Sequence, residues 1–397
     1  MRQAFPTWSA RGVSVVMGKR KVFDRGAKFI LAVWIAFVVA MSAGCAKKEG
    51  AGINYLGSFF SSDVMLFIAE DIPAEDYADM ISACKEAMEE YDAAFSLARD
   101  DGELARFNAA ASGERVKISA LTENVLKKAR SLFLSTGGAF DPTVYPLVDL
   151  WGFSHRFDAL YEPAEIYDRV MGDDGSLPPP EKEYIDAFVR LADFSEVVWE
   201  SSDDGIYLVK NCPPVTVDGE IFQQRTDLSA IAKGELSSAL EKIVSRVTEN
   251  FYISIGTSSL YLGARQGENW RVQLTDPASE RRAAFAETGL KNVFLSTSGT
   301  YEKNYLSGGV KYHHVIDPAT GTSADTDILS VTVVGEDGGA CDALSTALIV
   351  MGYEKACEYV KSLSGYDFVF VLDNGKVYST LPLTDVGGRY DYYGISL

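Results

Sequence analysis

Thirteen consecutive apolar residues, Phe29–Met41, constrain this chain more than any other feature. A helix that spans a bilayer needs about 20 such residues, so the run is short for a stable span. Ahead of it lie Arg2, Arg11, Lys19, Arg20, Lys21, Arg25 and Lys28 against a single acid, Asp24. After it come Ser42, Ala43 and Gly44, then Cys45. A basic flank, a short apolar core and small residues together make a signal peptide. Cys45 directly after Ala-Gly resembles a bacterial lipobox, with Ser42 where Leu is usual, and Met17 offers a start that gives a signal of ordinary length. The expectation is an exported protein, anchored to a bacterial membrane by lipid on Cys45, on its periplasmic or cell-surface side. An uncleaved anchor helix, or a plain signal cleaved nearby, is the alternative. The boundaries expected are a signal at 1–44, a lipidated Cys and tether at 45–57, and a folded domain at 58–397.

Charge narrows the partners. The formal net charge is −19, and without residues 1–44 the chain holds 30 basic and 55 acidic residues, or −25. Such a surface has no footprint for nucleic acid phosphates. Beyond Cys45, the cysteines Cys84, Cys212, Cys341 and Cys357 show no CxxC and no short Cys/His spacing, which argues against zinc. They are either disulfides of an exported protein or buried free thiols.

Periodicity gives helices at Pro73–Ser96, Ser119–Thr136, Ser229–Val247 and Cys341–Met351. It gives strands at Ser58–Glu70, Phe251–Leu262, Trp270–Thr275, Val293–Thr297, Leu329–Val334 and Phe368–Leu372. Glu196–Val209 alternates like a hairpin about Asp203-Asp204-Gly205, and residues 172–182 are a break rich in Gly, Asp and Pro. Helices and strands interleave without regular βα alternation, so the fold class expected is α+β.

Several segments carry groups suited to chemistry. In Asp342-Ala-Leu-Ser-Thr346, a helix puts the Asp carboxylate and the Thr hydroxyl on one face, a turn apart, where both reach one hard cation. Equally, Asp342 is a simple helix cap. Asp227-Leu-Ser-Ala-Ile-Ala-Lys-Gly234 leads into a helix start whose free amides attract phosphate, with Lys233 adding a mobile positive charge. Otherwise it is a capped helix with a surface lysine. His313-His314-Val-Ile-Asp-Pro-Ala-Thr-Gly321 places a base beside turn residues, or is a surface loop. Gly137-Gly-Ala-Phe-Asp-Pro142 allows close backbone approach to a planar ring, or is a helix end. Ser296-Thr-Ser-Gly-Thr-Tyr301 is small and hydroxyl-rich after a strand, a weak phosphate signal alone.

In this order the segments resemble the ApbE family of FAD:protein FMN transferases. The resemblance runs from about Ser58 to Gly352 through ELARFN (103–108), GGAFDPTVYPLVDLWGF (137–153), DLSAIAKG (227–234), ISIGTSSLYLG (253–263), STSGTYEKNY (296–305), HHVIDPATG (313–321) and CDALSTALIVMG (341–352). It implies mixed sheets and flanking helices in two lobes around an FAD cleft, with Mg²⁺ against the pyrophosphate. It assigns FAD contacts to Ala139, Phe140, Asp141, Asp227, Lys233 and Ile316, and metal ligation to Asp342, Thr346 and a carbonyl near Ala230. It places His314 near the reacting phosphate. The chain departs from the family pattern at Ala98, where an aromatic is frequent, at Phe60-Ser61-Ser62 in place of Met-Gly-Thr, and at Gly256-Thr257 in place of Gly-Gly. Gln223-Gln224-Arg225 looks inserted.

The implied reaction is attack by a target protein's Thr or Ser hydroxyl on the FMN-side phosphorus of FAD, with AMP leaving. His314, Asp342 and Asp317 are candidate bases. The implied acceptors are membrane redox subunits that carry covalent FMN. The rival readings are hydrolysis of FAD to FMN and AMP at the same site, a non-catalytic FAD-binding lipoprotein, and a solute-binding lipoprotein without flavin.

Overall fold

The computed structural model describes residues 51–154, 178–279, 283–387 and 389–396. The signal segment, Cys45 and residues 172–177 of the Gly/Pro-rich break lie outside these described residues. Among the described residues no helix is long and apolar enough to cross a membrane.

Most of the β-prone stretches join one nine-stranded sheet. Its spatial order is Gly52–Phe59, Ser62–Ile68, Phe251–Ile255, Ser259–Leu262, Val293–Gly299, Ile328–Gly335, Tyr366–Leu372, Lys376–Ser379 and Asp391–Gly394. Neighbours are antiparallel except the final pair, which is parallel. Ile328–Gly335 (ILSVTVVG) and Tyr366–Leu372 (YDFVFVL) are interior strands, and both are largely sealed from solvent. That is why they read as continuous apolar runs and not as alternating ones.

Four helices cover the sheet: Ala74–Phe95, Ala120–Ser135, Ser229–Val244 and Gly338–Met351. The first buries Met80, Cys84, Met88, Tyr91 and Phe95, the stripe its spacing predicts. The second opens on Ser119, whose side chain accepts from the Thr122 amide at 3.2 Å. It ends at Gly137 and Gly138, both with positive φ. Cys84, Cys212 and Cys341 are buried free thiols.

Two expected strands are hairpins. Ser58–Glu70 begins earlier, at Gly52, inside the expected tether, and turns back at Phe60-Ser61, both with positive φ. Neither Phe nor Ser commonly adopts positive φ, so the sequence hid the turn. Phe251–Leu262 likewise folds back at Gly256, with φ of 59°. The Gly256-Thr257 expected in mid-strand is therefore a turn.

The described residues hold two hydrophobic cores. The large one lies between the sheet and its helices and includes Phe95, Leu126, Leu236, Ile253, Val331, Leu344 and Phe368. The small one gathers Leu147, Leu150, Trp151, Phe153, Phe188, Val215, Val217, Tyr305 and Ile316 from loops, short helices and two small hairpins.

Candidate functional site

The helix Gly338–Met351 decides between the two roles left open for Asp342. Its cap is Asp337, which accepts from the Ala340 amide at 3.0 Å. Asp342 lies in the next turn, is 5% exposed, and caps nothing. Gly338 reaches the neighbouring helix Ser229–Val244 at Gly234. A Cβ on either glycine would collide with the other's backbone carbonyl. Only glycine permits this approach, and it carries the Gly234 amide to Asp342 Oδ2 at 3.1 Å. In a regular helix that amide faces the carbonyl of Ala230, so Ala230 and Asp342 border the same point.

The other carboxylate oxygen accepts from Ser259 Oγ at 3.3 Å. Burial raises the Asp342 carboxyl above the usual range, with nearby Lys233 opposing the shift. Thr346 is half-buried one turn later, 3.1 Å from Ser298 Oγ. Ser298 also meets Ser345 at 2.7 Å, and Ser345 donates to the Asp342 carbonyl at 2.8 Å. Ser296 and Ser298 sit two apart in the strand Val293–Gly299, so both face the helix.

A group of charges lies beside these oxygens. Lys233 Nζ donates to Ser258 Oγ at 2.9 Å, in the hairpin turn missed from sequence. Burial raises the Asp227 carboxyl, while Lys303 and Lys233 pull it down. Its oxygens accept from the Ser229 amide and hydroxyl, both at 2.8 Å, and so start the helix that carries Lys233. The Asp227 amide donates to the Pro142 carbonyl at 2.9 Å, joining two of the motifs. Just upstream, Asn108 of ELARFN donates to the Thr226 carbonyl and accepts from its amide, each at 2.8 Å. The Gln223-Gln224-Arg225 stretch is tied down on all sides: Gln223 to Ser112, Gln224 to Leu191 and Asp193, Arg225 to Asp149 at 2.6 Å.

His314 closes the group. Burial first, then Lys303, His313 and Lys233, push its imidazole down to about 3, so it is neutral at physiological pH. Its Nδ1 is buried without a hydrogen-bond partner, as is that of His313. Asp317 instead serves its own turn, accepting from the Ala319 amide at 2.9 Å.

Three expected flavin contacts are placed differently from a free side chain in a cleft. Phe140 is 3% exposed within the large core. Asp141 is buried, accepts from Thr143 N at 2.7 Å and Oγ1 at 2.5 Å, and accepts from the Phe194 amide at 3.3 Å. Burial pushes its carboxyl up to about 6. Ile316 packs into the small core. These side chains shape the interior, and their segments present main chain and the half-buried Ala139 outward. The two segments also meet: Trp151 Nε1 donates to the Gly321 carbonyl at 2.7 Å. Gly321 has φ of 71°, and a Cβ there would strike Leu147, Ile185 and Val189.

The residues missed from sequence were the Gly234 amide, Ser258, Ser259, Ser298, Ser345 and Lys303. All lie inside quoted segments, but their roles depend on which strand faces which helix.

Among the described residues no group of three or more His, Cys, Asp and Glu is arranged for a metal. The donors at Asp342 nonetheless suit a hard cation. One buried carboxylate, held by the Gly234 amide at 3.1 Å and by the Ser259 hydroxyl at 3.3 Å with Ser296 beside it, lies near further hydroxyl oxygens. Burying such a charge uncompensated is costly, and a cation would relieve the cost.

The sequence model of the ApbE family matches residues 58–370. The chain is 32% identical over 315 residues to a Vibrio cholerae FAD:protein FMN transferase, covering 79% of this chain and 85% of that one. It is 27% identical over 308 residues to the FAD:protein FMN transferase of Treponema pallidum, covering 75% and 78%. The solved flavin transferase ApbE of Vibrio cholerae superposes with a TM-score of 0.65 at 26% identity, over 83% of this chain and 97% of that one. The ApbE protein of Thermotoga maritima shares the fold, with a TM-score of 0.65 at 24% identity over 84% and 97%. The matched span takes in every segment gathered around Asp342 and His314, and this chain belongs to the ApbE family.

Proposed function

We propose that this protein transfers FMN from FAD to a Ser or Thr hydroxyl of another protein, with Mg²⁺, from the outer face of a bacterial membrane to which Cys45 anchors it. The observation that carries the reading is the convergence on one helix crossing of a buried unpaired carboxylate, Asp342, with Lys233, Lys303 and neutral His314 beside it. Relatives called FAD:protein FMN transferase support it.

Asp342, Thr346 and the Ala230 carbonyl would hold Mg²⁺, which, when bound, neutralises charge developing on the diphosphate. Lys233 and Lys303 attract the same diphosphate and position it. The acceptor hydroxyl oxygen forms a bond to the FMN-side phosphorus as the bond to AMP's phosphate oxygen breaks. The hydroxyl proton passes to His314, whose imidazole is neutral and whose buried Nδ1 has no hydrogen-bond partner in the structure. Burial is the main cause that holds that imidazole's basicity down, and Lys303 and Lys233 add to it. A bound diphosphate offsets their charge, so His314 becomes a better base when substrate is present. FMN is left on the acceptor as a phosphoester, and AMP departs.

The test combines the protein with FAD, Mg²⁺ and a flavin-free redox subunit of the kind that carries covalent FMN. A fluorescent acceptor band with equimolar AMP is the expected result. Free FMN and AMP without a labelled acceptor would make the protein a hydrolase. Retained intact FAD would make it a binding protein.

A further inference from the structure

One ammonium sits where the two crossing helices meet a third. Lys128, in the helix Ala120–Ser135, donates to Asp337 Oδ1 at 2.8 Å and also to Glu235 Oε1. Asp337 is the residue before Gly338, and Glu235 is the residue after Gly234. The nitrogen therefore bridges the two residues next to the pair whose backbones touch. A third glycine makes room for the Glu235 side chain, since a Cβ on Gly339 would strike Glu235 Oε1.

The group is partly withdrawn from solvent. The side chain of Glu235 is 12% exposed, that of Lys128 30% and that of Asp337 40%. Burial opposes the charge on Lys128, but Glu235 and Asp337 outweigh it and hold the ammonium above the usual lysine range. Burial raises the Glu235 carboxyl, Lys128 opposes the rise, and Asp337 adds to it. Two carboxylates that touch one nitrogen stand within about 6 Å of each other. Like charges that close repel. An exposed ion pair does little, but here one member is nearly buried, and removing its partner leaves the charge uncompensated. The repulsion would then act across the crossing that brings the Gly234 amide to Asp342.

We propose that Lys128 is a positioning residue for the cation at Asp342. It acts through the crossing: by neutralising Glu235 and Asp337 it keeps the two helices in backbone contact, and so keeps Asp342 and the Ala230 carbonyl facing one point. Asp337 also caps the helix that carries Asp342, so the ammonium holds that helix at its first turn. The inference rests on the Mg²⁺ site proposed above.

The experiment compares the full chain with Lys128→Met, with Lys128→Arg, and with Lys128→Met combined with Glu235→Gln. Mg²⁺ is titrated into each protein by calorimetry, alone and with FAD bound, and thermal unfolding is followed without Mg²⁺. The expected result is a Kd for Mg²⁺ raised about tenfold in Lys128→Met. Affinity should return in the double variant, where one of the two carboxylates is neutral, and stay near wild type in Lys128→Arg. A purely structural role would lower the melting temperature without this pattern in Mg²⁺ affinity. Wild-type affinity in Lys128→Met would overturn the proposal. So would a double variant as weak as the single one, which would show that repulsion is not the cause. If Lys128→Met does not fold, the double variant decides: near wild-type affinity supports the proposal, and an unfolded or weakly binding protein overturns it. Failure of the underlying reading looks different: the wild-type protein would bind Mg²⁺ no better than Asp342→Ala, and the role of Lys128 would fall with the site.

Discussion

The two cores solve different problems with different residues. The large core lies between regular strands and helices and ends in a helix crossing where backbone meets backbone at Gly234 and Gly338. The small core is aromatic and assembled from loops and hairpins, with Trp151, Phe153, Tyr305 and Tyr312 in mutual contact. The first fixes backbone atoms around a carboxylate. The second supports the segment that runs from His314 through Ile316 to the turn at Gly321. Regular elements fix the surroundings of Asp342, while loops, short helices and hairpins hold the segments of the small core.

Changes on the large-core side should have the greatest effect. Asp342→Ala should lower Mg²⁺-dependent turnover about a thousandfold, while the melting temperature stays or rises, because a buried uncompensated charge is removed. Steady-state AMP release and calorimetry check both halves. Wild-type turnover would remove the cation from this position.

Gly234→Ala sharpens the same side by steric means. The added methyl meets backbone that cannot rotate away, so a loss of about 1–3 kcal/mol or more is expected by denaturant unfolding. Activity should fall with it, as Asp342 loses its amide partner. A variant with unchanged stability would show that the helices separate easily.

On the small-core side, Trp151→Phe keeps the ring but deletes the bond to Gly321. The buried carbonyl is left unpaired, so about 1–3 kcal/mol is expected, with KM for FAD or acceptor rising more than kcat falls. A pure kcat effect would place this core closer to the chemistry.

The smallest effect concerns pH. A histidine with its ordinary constant would impose a limb near pH 6.5 on kcat/KM for the free enzyme. The folded His314 is lowered to about 3 and therefore unprotonated across pH 5–8. A profile without a limb near 6.5, and no new feature in His314→Gln beyond lower activity, is expected. A limb at 6.5 that vanishes in His314→Gln would show that the imidazole is solvated.

The same contrast explains what the sequence made legible. Ala74–Phe95 announced itself because it buries one stripe at helical spacing, Met80, Cys84, Met88 and Tyr91, whereas Gly338–Met351 is buried on nearly every side and shows no such stripe. Asp342 and Thr346 could be paired by spacing, yet spacing alone left Asp342 as ligand or cap. Asp337, five residues earlier, takes the cap, and only the helix start shows that. The turns at Phe60-Ser61 and Gly256 stayed hidden inside β-prone runs. With the second went Ser258 and Ser259, whose contacts to Lys233 and Asp342 cross between elements. Asp141 shows another limit: its motif is recognisable, but that its oxygens accept from Thr143 and Phe194 is not. The Cys45 anchor was read from composition around a short apolar run and rests on that alone.

The bare crossing of Gly234 and Gly338 carries one more consequence. Two backbones already in contact have nowhere closer to go, and parting them would strip Asp342 of its amide. That wall of the site therefore cannot breathe, and entry and exit of a molecule the length of FAD must be accommodated by the opposite wall. Any motion that admits FAD is therefore expected in the loops and short elements around the small core, not in this crossing.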